Sequence, residues 1–140
     1  MSAYLDASVI LPTLIEEPGS ARVDQYLFSA SEPLVVSEFA AAEVASALSR
    51  LVRMAQMDSG EAGARLASFD VWRAASTEDI DVRPADVRLA HLFARRFDLM
   101  LRAPDALHAA VCRRADFLLV TMDKRLANAA AALGVRNRLL

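Results

Sequence analysis

Short apolar runs alternate along the chain with longer stretches whose apolar residues recur every three or four positions. Runs of the first kind suit strands buried on both faces, and stretches of the second kind suit amphipathic helices. Their alternation predicts an α/β fold with a mainly parallel central sheet. The first strand is expected over Ala3 to Leu5, followed by a helix from about Ser8 to Ile15, where Pro12 is tolerable only in the opening turns. A second helix should start near Gly19 and Ser20. Leu34, Val35 and Val36 read as the second strand, with Ser37 as N-cap of a helix from Glu38 to about Met54. Ala41, Val44, Ala45, Leu48, Leu51 and Val52 recur at helical spacing and define its expected buried stripe.

Asp58 and Glu61 form a capping-box-like pair opening another helix, with Ala62, Leu66, Phe69 and Trp72 or Arg73 turned inward. Ile80 to Val82 is expected to be a short strand. Pro84 starts a helix through about Phe97, and Pro104 starts another through about Arg114. Phe117 to Thr121 is the clearest strand. A helix from about Lys124 to Leu133 follows it, Gly134 is the C-terminal stop, and Val135 to Leu139 can add an edge strand.

The chain has 140 residues, 55% of them hydrophobic, which suits one globular domain with a sizeable core. Its longest uncharged stretch, Leu126 to Val135, is far short of the roughly 20 apolar residues that span a bilayer. The first charge is Asp6 and no basic segment precedes an apolar run, so neither a membrane span nor a secretory signal is expected, and the expected location is cytoplasmic. Cys112 is the one cysteine and sits in the apolar run Ala109, Ala110, Val111, where a small core residue belongs. A net charge of −2 argues against a protein that coats nucleic acid nonspecifically. It leaves room for an enzyme acting on RNA, since a metal can offset carboxylates gathered in one site.

Carboxylates are the candidate chemistry. In open parallel sheets the functional crevice lies outside the carboxyl ends of the strands. Asp6 closes the first strand and Asp123 follows the strong strand ending at Thr121, which puts both at one sheet edge. Glu43, in the second turn of the helix after the second strand, can reach the same edge. Asp105 lies in the first turn of the helix opened by Pro104. Each has an ordinary explanation: Asp6 and Asp123 as helix caps, Asp105 at a positive helix end, Glu43 on a solvated face. Four uncompensated carboxylates around one crevice would repel, however, and a hard divalent cation such as Mg²⁺ or Mn²⁺, which prefers oxygen ligands, relieves that repulsion. Histidine offers little as a ligand, because His91 and His108 fall on separate helices, and no Gly-rich phosphate loop accompanies Lys124.

Four segments, Tyr4-Leu5-Asp6-Ala7-Ser8-Val9-Ile10, Ser37-Glu38-Phe39-Ala40-Ala41-Ala42-Glu43-Val44, Pro104-Asp105-Ala106-Leu107-His108-Ala109-Ala110 and Val120-Thr121-Met122-Asp123, resemble the PIN domains, and within them the VapC-like toxins, in order and spacing. The resemblance covers nearly the whole chain. It implies a PIN-like three-layer α/β/α sandwich in which Asp6, Glu43, Asp105 and Asp123 hold Mg²⁺, or Mn²⁺. Ser8 and Thr121 would be their polar neighbours, with Ser8 standing where many members carry Asn. Glu38 competes with Glu43, but five positions separate them, about 140° around a helix, and the family spacing favours Glu43.

What the resemblance implies for function is an endoribonuclease toxin that hydrolyses RNA with a metal-activated water, a cognate VapB-like antitoxin that places a basic side chain in the acidic site, and a toxin homodimer. Arg102, Lys124 and Arg125 flank Asp105 and Asp123 and are candidates for RNA phosphate contacts. The main alternative is a noncatalytic PIN-like module that uses its acidic pocket to bind a basic partner segment. A phosphoacceptor receiver domain also gathers acids at strand ends, but Asp6 lacks the neighbouring acidic pair and the late lysine arrangement is missing.

Overall fold

A computed structural model describes all residues, 1–140. The elements run β1 (Ala3–Leu5), α1 (Ala7–Leu14), α2 (Ser20–Ser29), β2 (Leu34–Val35), α3 (Glu38–Arg53), α4 (Ser59–Ser76), α5 (Pro84–Ala94), α6 (Ala103–Ala115), β3 (Leu118–Thr121), α7 (Lys124–Ala132) and β4 (Asn137–Leu139), with a 3₁₀ turn at Phe97–Leu99. All four strands are parallel, in the order β2-β1-β3-β4. Tyr4 stands opposite Val35 on one side and Leu119 on the other.

The pleat sends alternate side chains to opposite faces, so each strand feeds two cores. Tyr4, Val35 and Leu119 pack with α5, α6 and α7, while Ala3, Leu5 and Val120 pack with α1, α2, α3 and Phe69 of α4. The alternation of patterns predicted an α/β fold with a mainly parallel sheet, and the layering is the three-layer α/β/α sandwich that the resemblance implied. Chain order reverses between β1 and β3, because β1 continues to β2 on one side and β3 continues to β4 on the other. At that switch point the two outgoing chains separate beyond the strand ends and leave a crevice.

Local signals explain the helix starts that matter. Asp6, Ser37, Asp58 and Asp123 are N-caps whose side chains accept backbone N–H groups at the mouths of α1, α3, α4 and α7. Gly134 has φ +70°, a left-handed conformation that turns the chain from α7 into β4.

Three expectations are corrected. Ile80 to Val82 forms no strand: only Glu78 bridges to Val35, and Ile80 and Val82 pack their side chains against the core beside α5. The helix opened by Pro84 ends at Ala94 rather than Phe97, and Phe97 lies exposed in the following 3₁₀ turn. On α3 the fully buried stripe is Ala40, Val44 and Leu48, whereas Ala45 is exposed, because the helix offers the sheet a narrower face than its small residues suggested. No helix is long and apolar enough to cross a membrane.

Candidate functional site

Asp6 follows the last residue of β1 and is only 4% exposed. Its Oδ1 accepts a 2.5 Å hydrogen bond from Ser8 Oγ and also the N–H of Val9 at 3.3 Å, and its Oδ2 accepts from Thr121 Oγ1 at 2.6 Å. The two hydroxyls have spent their protons on Asp6, and their oxygens accept in turn from the backbone: Met122 N–H reaches Ser8 and Asp123 N–H reaches Thr121. A buried carboxylate thereby sets the course of the segment that carries Asp123. Burial pushes the Asp6 carboxyl above its ordinary range, against the opposing pull of the Ser8 and Thr121 hydroxyls.

Above this network lies a polar pocket of about 240 Å³, walled by Glu43, Arg102, Pro104, Asp105, Asp123 and Arg125. Three of the four expected acids therefore share a wall, and the fourth, Asp6, is joined to it through Thr121 rather than lining it. Asp123 uses Oδ1 to cap α7 through the N–H groups of Arg125 and Leu126. Asp123 thus both caps α7 and lines the pocket. Partial burial, joined by the charges of Asp123 and Glu43, raises the Asp105 carboxyl above its ordinary range.

Glu43 is half-buried on α3, and its Oε1 meets Nε2 of His108. Glu38 points elsewhere and pairs with Arg73 of α4, which settles which glutamate of α3 belongs to the pocket. Of the three candidate phosphate contacts, Arg102 and Arg125 line the pocket and make no ion pair, while Lys124 is exposed outside its wall.

The donor set fits a hard divalent cation: the acids of the wall offer carboxylate oxygens, and Asp105 faces the charges of Asp123 and Glu43 from a partly buried position. No three acids, histidines or cysteines converge closely enough to chelate one ion by themselves.

One functional neighbour is missed by reading the sequence. His108 follows Asp105 by three residues on α6, a spacing that puts both on one helical face. It touches Glu43, a residue 65 positions away.

Residues 3–132 match the family model described as the PIN domain. No curated protein sequence matches the chain. Among solved structures, VapBC2 from Rickettsia felis, bound to a DNA fragment from its promoter, aligns with TM-score 0.73 at 14% identity over 100% of this chain and 99% of that one. VapC20 from Mycobacterium tuberculosis, described as a sarcin-ricin-loop-cleaving toxin, aligns with TM-score 0.73 at 16% identity over 91% of this chain and 94% of that one. PAE2754 from Pyrobaculum aerophilum aligns with TM-score 0.66 at 21% identity over 92% and 87% of the two chains. At these identities the likeness is one of fold.

Proposed function

Because the chain belongs to the PIN-domain family, we propose that it is a divalent-metal-dependent endoribonuclease of the VapC type, the toxin of a toxin-antitoxin pair. The observation that carries this reading is the pocket at the β1/β3 switch point: Glu43, Asp105 and Asp123 on its wall, Asp6 bonded to the same segment, and two unpaired arginines at its rim.

Asp6, Glu43, Asp105 and Asp123 would hold Mg²⁺ or Mn²⁺, directly or through water. When bound, such an ion supplies charge neutralisation at the scissile phosphate and activation of a hydrolytic water. The chain's own residues do the rest. Thr121 and Ser8 keep the Asp6 carboxylate in one orientation, and Asp123, anchored on α7, brings a second charge to the sheet edge. Arg102 and Arg125, on the same pocket wall as the acids, hold RNA phosphates, which a cation paired within the protein could not. Hydrolysis by water leaves a 5′-phosphate and a 3′-hydroxyl and does not use the RNA 2′-hydroxyl.

The partner is a VapB-like antitoxin that inserts a basic side chain among the same acids. The match of the fold to VapBC assemblies supports that choice. A toxin homodimer belongs to the same reading.

Cleavage of a labelled total RNA pool by purified protein, with Mg²⁺, with EDTA and with the Asp6→Asn variant, tests the proposal. Metal-dependent cleavage lost in the variant is expected. No cleavage by folded, metal-loaded protein would favour a binding module with an acidic pocket.

A further inference from the structure

His108 is 2% exposed and surrounded on α6 by Ala106, Ala109, Ala110, Val111 and Cys112, all buried. An imidazole in such a place is costly unless both nitrogens are bonded, and both are. Nδ1 lies 2.7 Å from the Tyr4 hydroxyl, and Nε2 meets Glu43 Oε1. The Tyr4 oxygen is also 2.7 Å from Ser37 Oγ, and Ser37 Oγ accepts the N–H of Ala40 as the cap of α3. Tyr4 and Phe39 lie tilted against the ring, with centroids 5.6 Å and 5.2 Å away. The Tyr4 hydroxyl and the two flanking rings thus hold the imidazole with Nε2 toward Glu43.

One arrangement of protons satisfies the whole chain. Ser37 donates to the Tyr4 oxygen, Tyr4 donates to Nδ1, and Nε2–H donates to the Glu43 carboxylate. The tyrosine thereby selects the tautomer that presents N–H to Glu43. One glutamate oxygen is engaged and the other remains available to the pocket that Glu43 lines with Asp105 and Asp123.

We infer that His108 is a positioning residue for Glu43, held in its working tautomer by Tyr4 and Ser37, and that it sets the site's affinity for a divalent cation. This rests on the endoribonuclease reading above. Glu43 sits on a long helical side chain, and without a fixed donor its carboxylate would have to be ordered at the moment of binding. Groups that orient a metal-holding side chain typically contribute about 10- to 100-fold in metal affinity.

The test is Mn²⁺ binding by the folded, full-length chain, followed by electron paramagnetic resonance titration and requiring no turnover. An Asn amide occupies roughly the place of Nδ1 and cannot reach Glu43, whereas a Gln amide reaches the place of Nε2. His108→Asn should weaken Mn²⁺ binding about 10- to 100-fold, and His108→Gln should restore it to within a few-fold of the parent. Tyr4→Phe keeps the imidazole and removes only the tautomer-selecting hydroxyl; its binding should fall several-fold, and it carries the test if His108→Asn does not fold. Parent-like binding by His108→Asn, or equal losses in the Asn and Gln variants, would overturn the inference, as would parent-like binding by Tyr4→Phe where that variant stands in. A parent protein that binds no Mn²⁺ would instead overturn the nuclease reading itself.

Discussion

Thr121 at the end of β3 donates a 2.6 Å hydrogen bond to Asp6 at the end of β1, across 115 positions of sequence. The bond closes the edge of the sheet where the order of strands reverses, and the same hydroxyl accepts from Asp123 N–H. One small side chain thus sets two acids of the proposed site.

Thr121→Val keeps the shape of the residue and removes both bonds. Leaving a buried carboxylate oxygen without its donor should cost about 1–3 kcal/mol, read from denaturant unfolding. RNA cleavage should fall by more than the stability loss explains, because Asp123 also loses its orientation. Full activity in a folded Thr121→Val protein would separate this hydroxyl from the site.

Asp105 faces the charges of Asp123 and Glu43 from a partly buried position. A carboxyl whose ionisation is disfavoured in the fold lowers stability once pH has risen past its folded pKa, so the cost is present at neutral pH. Asp105→Asn should therefore raise the thermal midpoint of the metal-free protein at neutral pH while abolishing cleavage. Adding Mg²⁺ should raise the midpoint of the parent more than that of the variant. A midpoint lowered in Asp105→Asn would show that the acids do not repel one another in the fold.

Arg102 and Arg125 should act on substrate rather than on metal. Each changed to Ala should raise KM for RNA with little change in kcat and reduce the salt dependence of binding by about one phosphate contact. Mn²⁺ affinity should stay equal to the parent's or improve slightly. A loss confined to kcat would count against phosphate contacts.

Asp86 of α5 is 1% exposed and receives Arg114 of α6 through both Nε, at 2.6 Å, and Nη2, at 2.9 Å. Burial pushes this carboxyl up, but the bonds from Arg114 and from Arg83 N–H outweigh it and hold it below the ordinary range. A depressed carboxyl contributes stability above its unfolded value, near 3.8, and loses it as pH falls through the lower folded value. Asp86→Asn should destabilise by about 2 kcal/mol near neutrality, less than a fully enclosed pair because Arg114 is partly exposed. The gap from the parent should begin to narrow as pH falls below about 4 and close as it passes the lower folded value. Unfolding titrations at several pH values read both effects, and a gap that widens in acid would refute the assignment.

Much of this architecture was legible along the chain because it rests on local causes. Ser37, Asp58 and Asp123 stand one residue before helices and cap them through their own side chains, which short-range chemistry dictates. Phe117 to Thr121 reads as a buried strand because both its faces must be covered, and the strand observed is Leu118–Thr121. Where neighbours distant in sequence decide the outcome, the reading failed. Ile80 to Val82 carries strand-forming residues, yet the sheet edge at β2 pairs only with Glu78. Ala45 matches the helical period but faces away from the sheet.

The four acids divide along the same line. Their residue types, their spacing and their places, Asp6 and Asp123 after strands and Glu43 and Asp105 in the opening turns of helices, were set by the sequence itself, because strand ends and helix starts follow from local pattern. That Glu43, Asp105 and Asp123 share one pocket wall, that Asp6 lies buried behind Thr121, and that Lys124 stays outside were decided by tertiary structure alone. The parallel order β2-β1-β3-β4 brings the ends of β1 and β3 side by side, and His108 of α6 meets Tyr4 of β1 and Glu43 of α3 only once the helices are packed on that sheet. Such contacts span 65 to 115 positions, and nothing in the local pattern encodes them, since they arise when two faces of one sheet are covered at once.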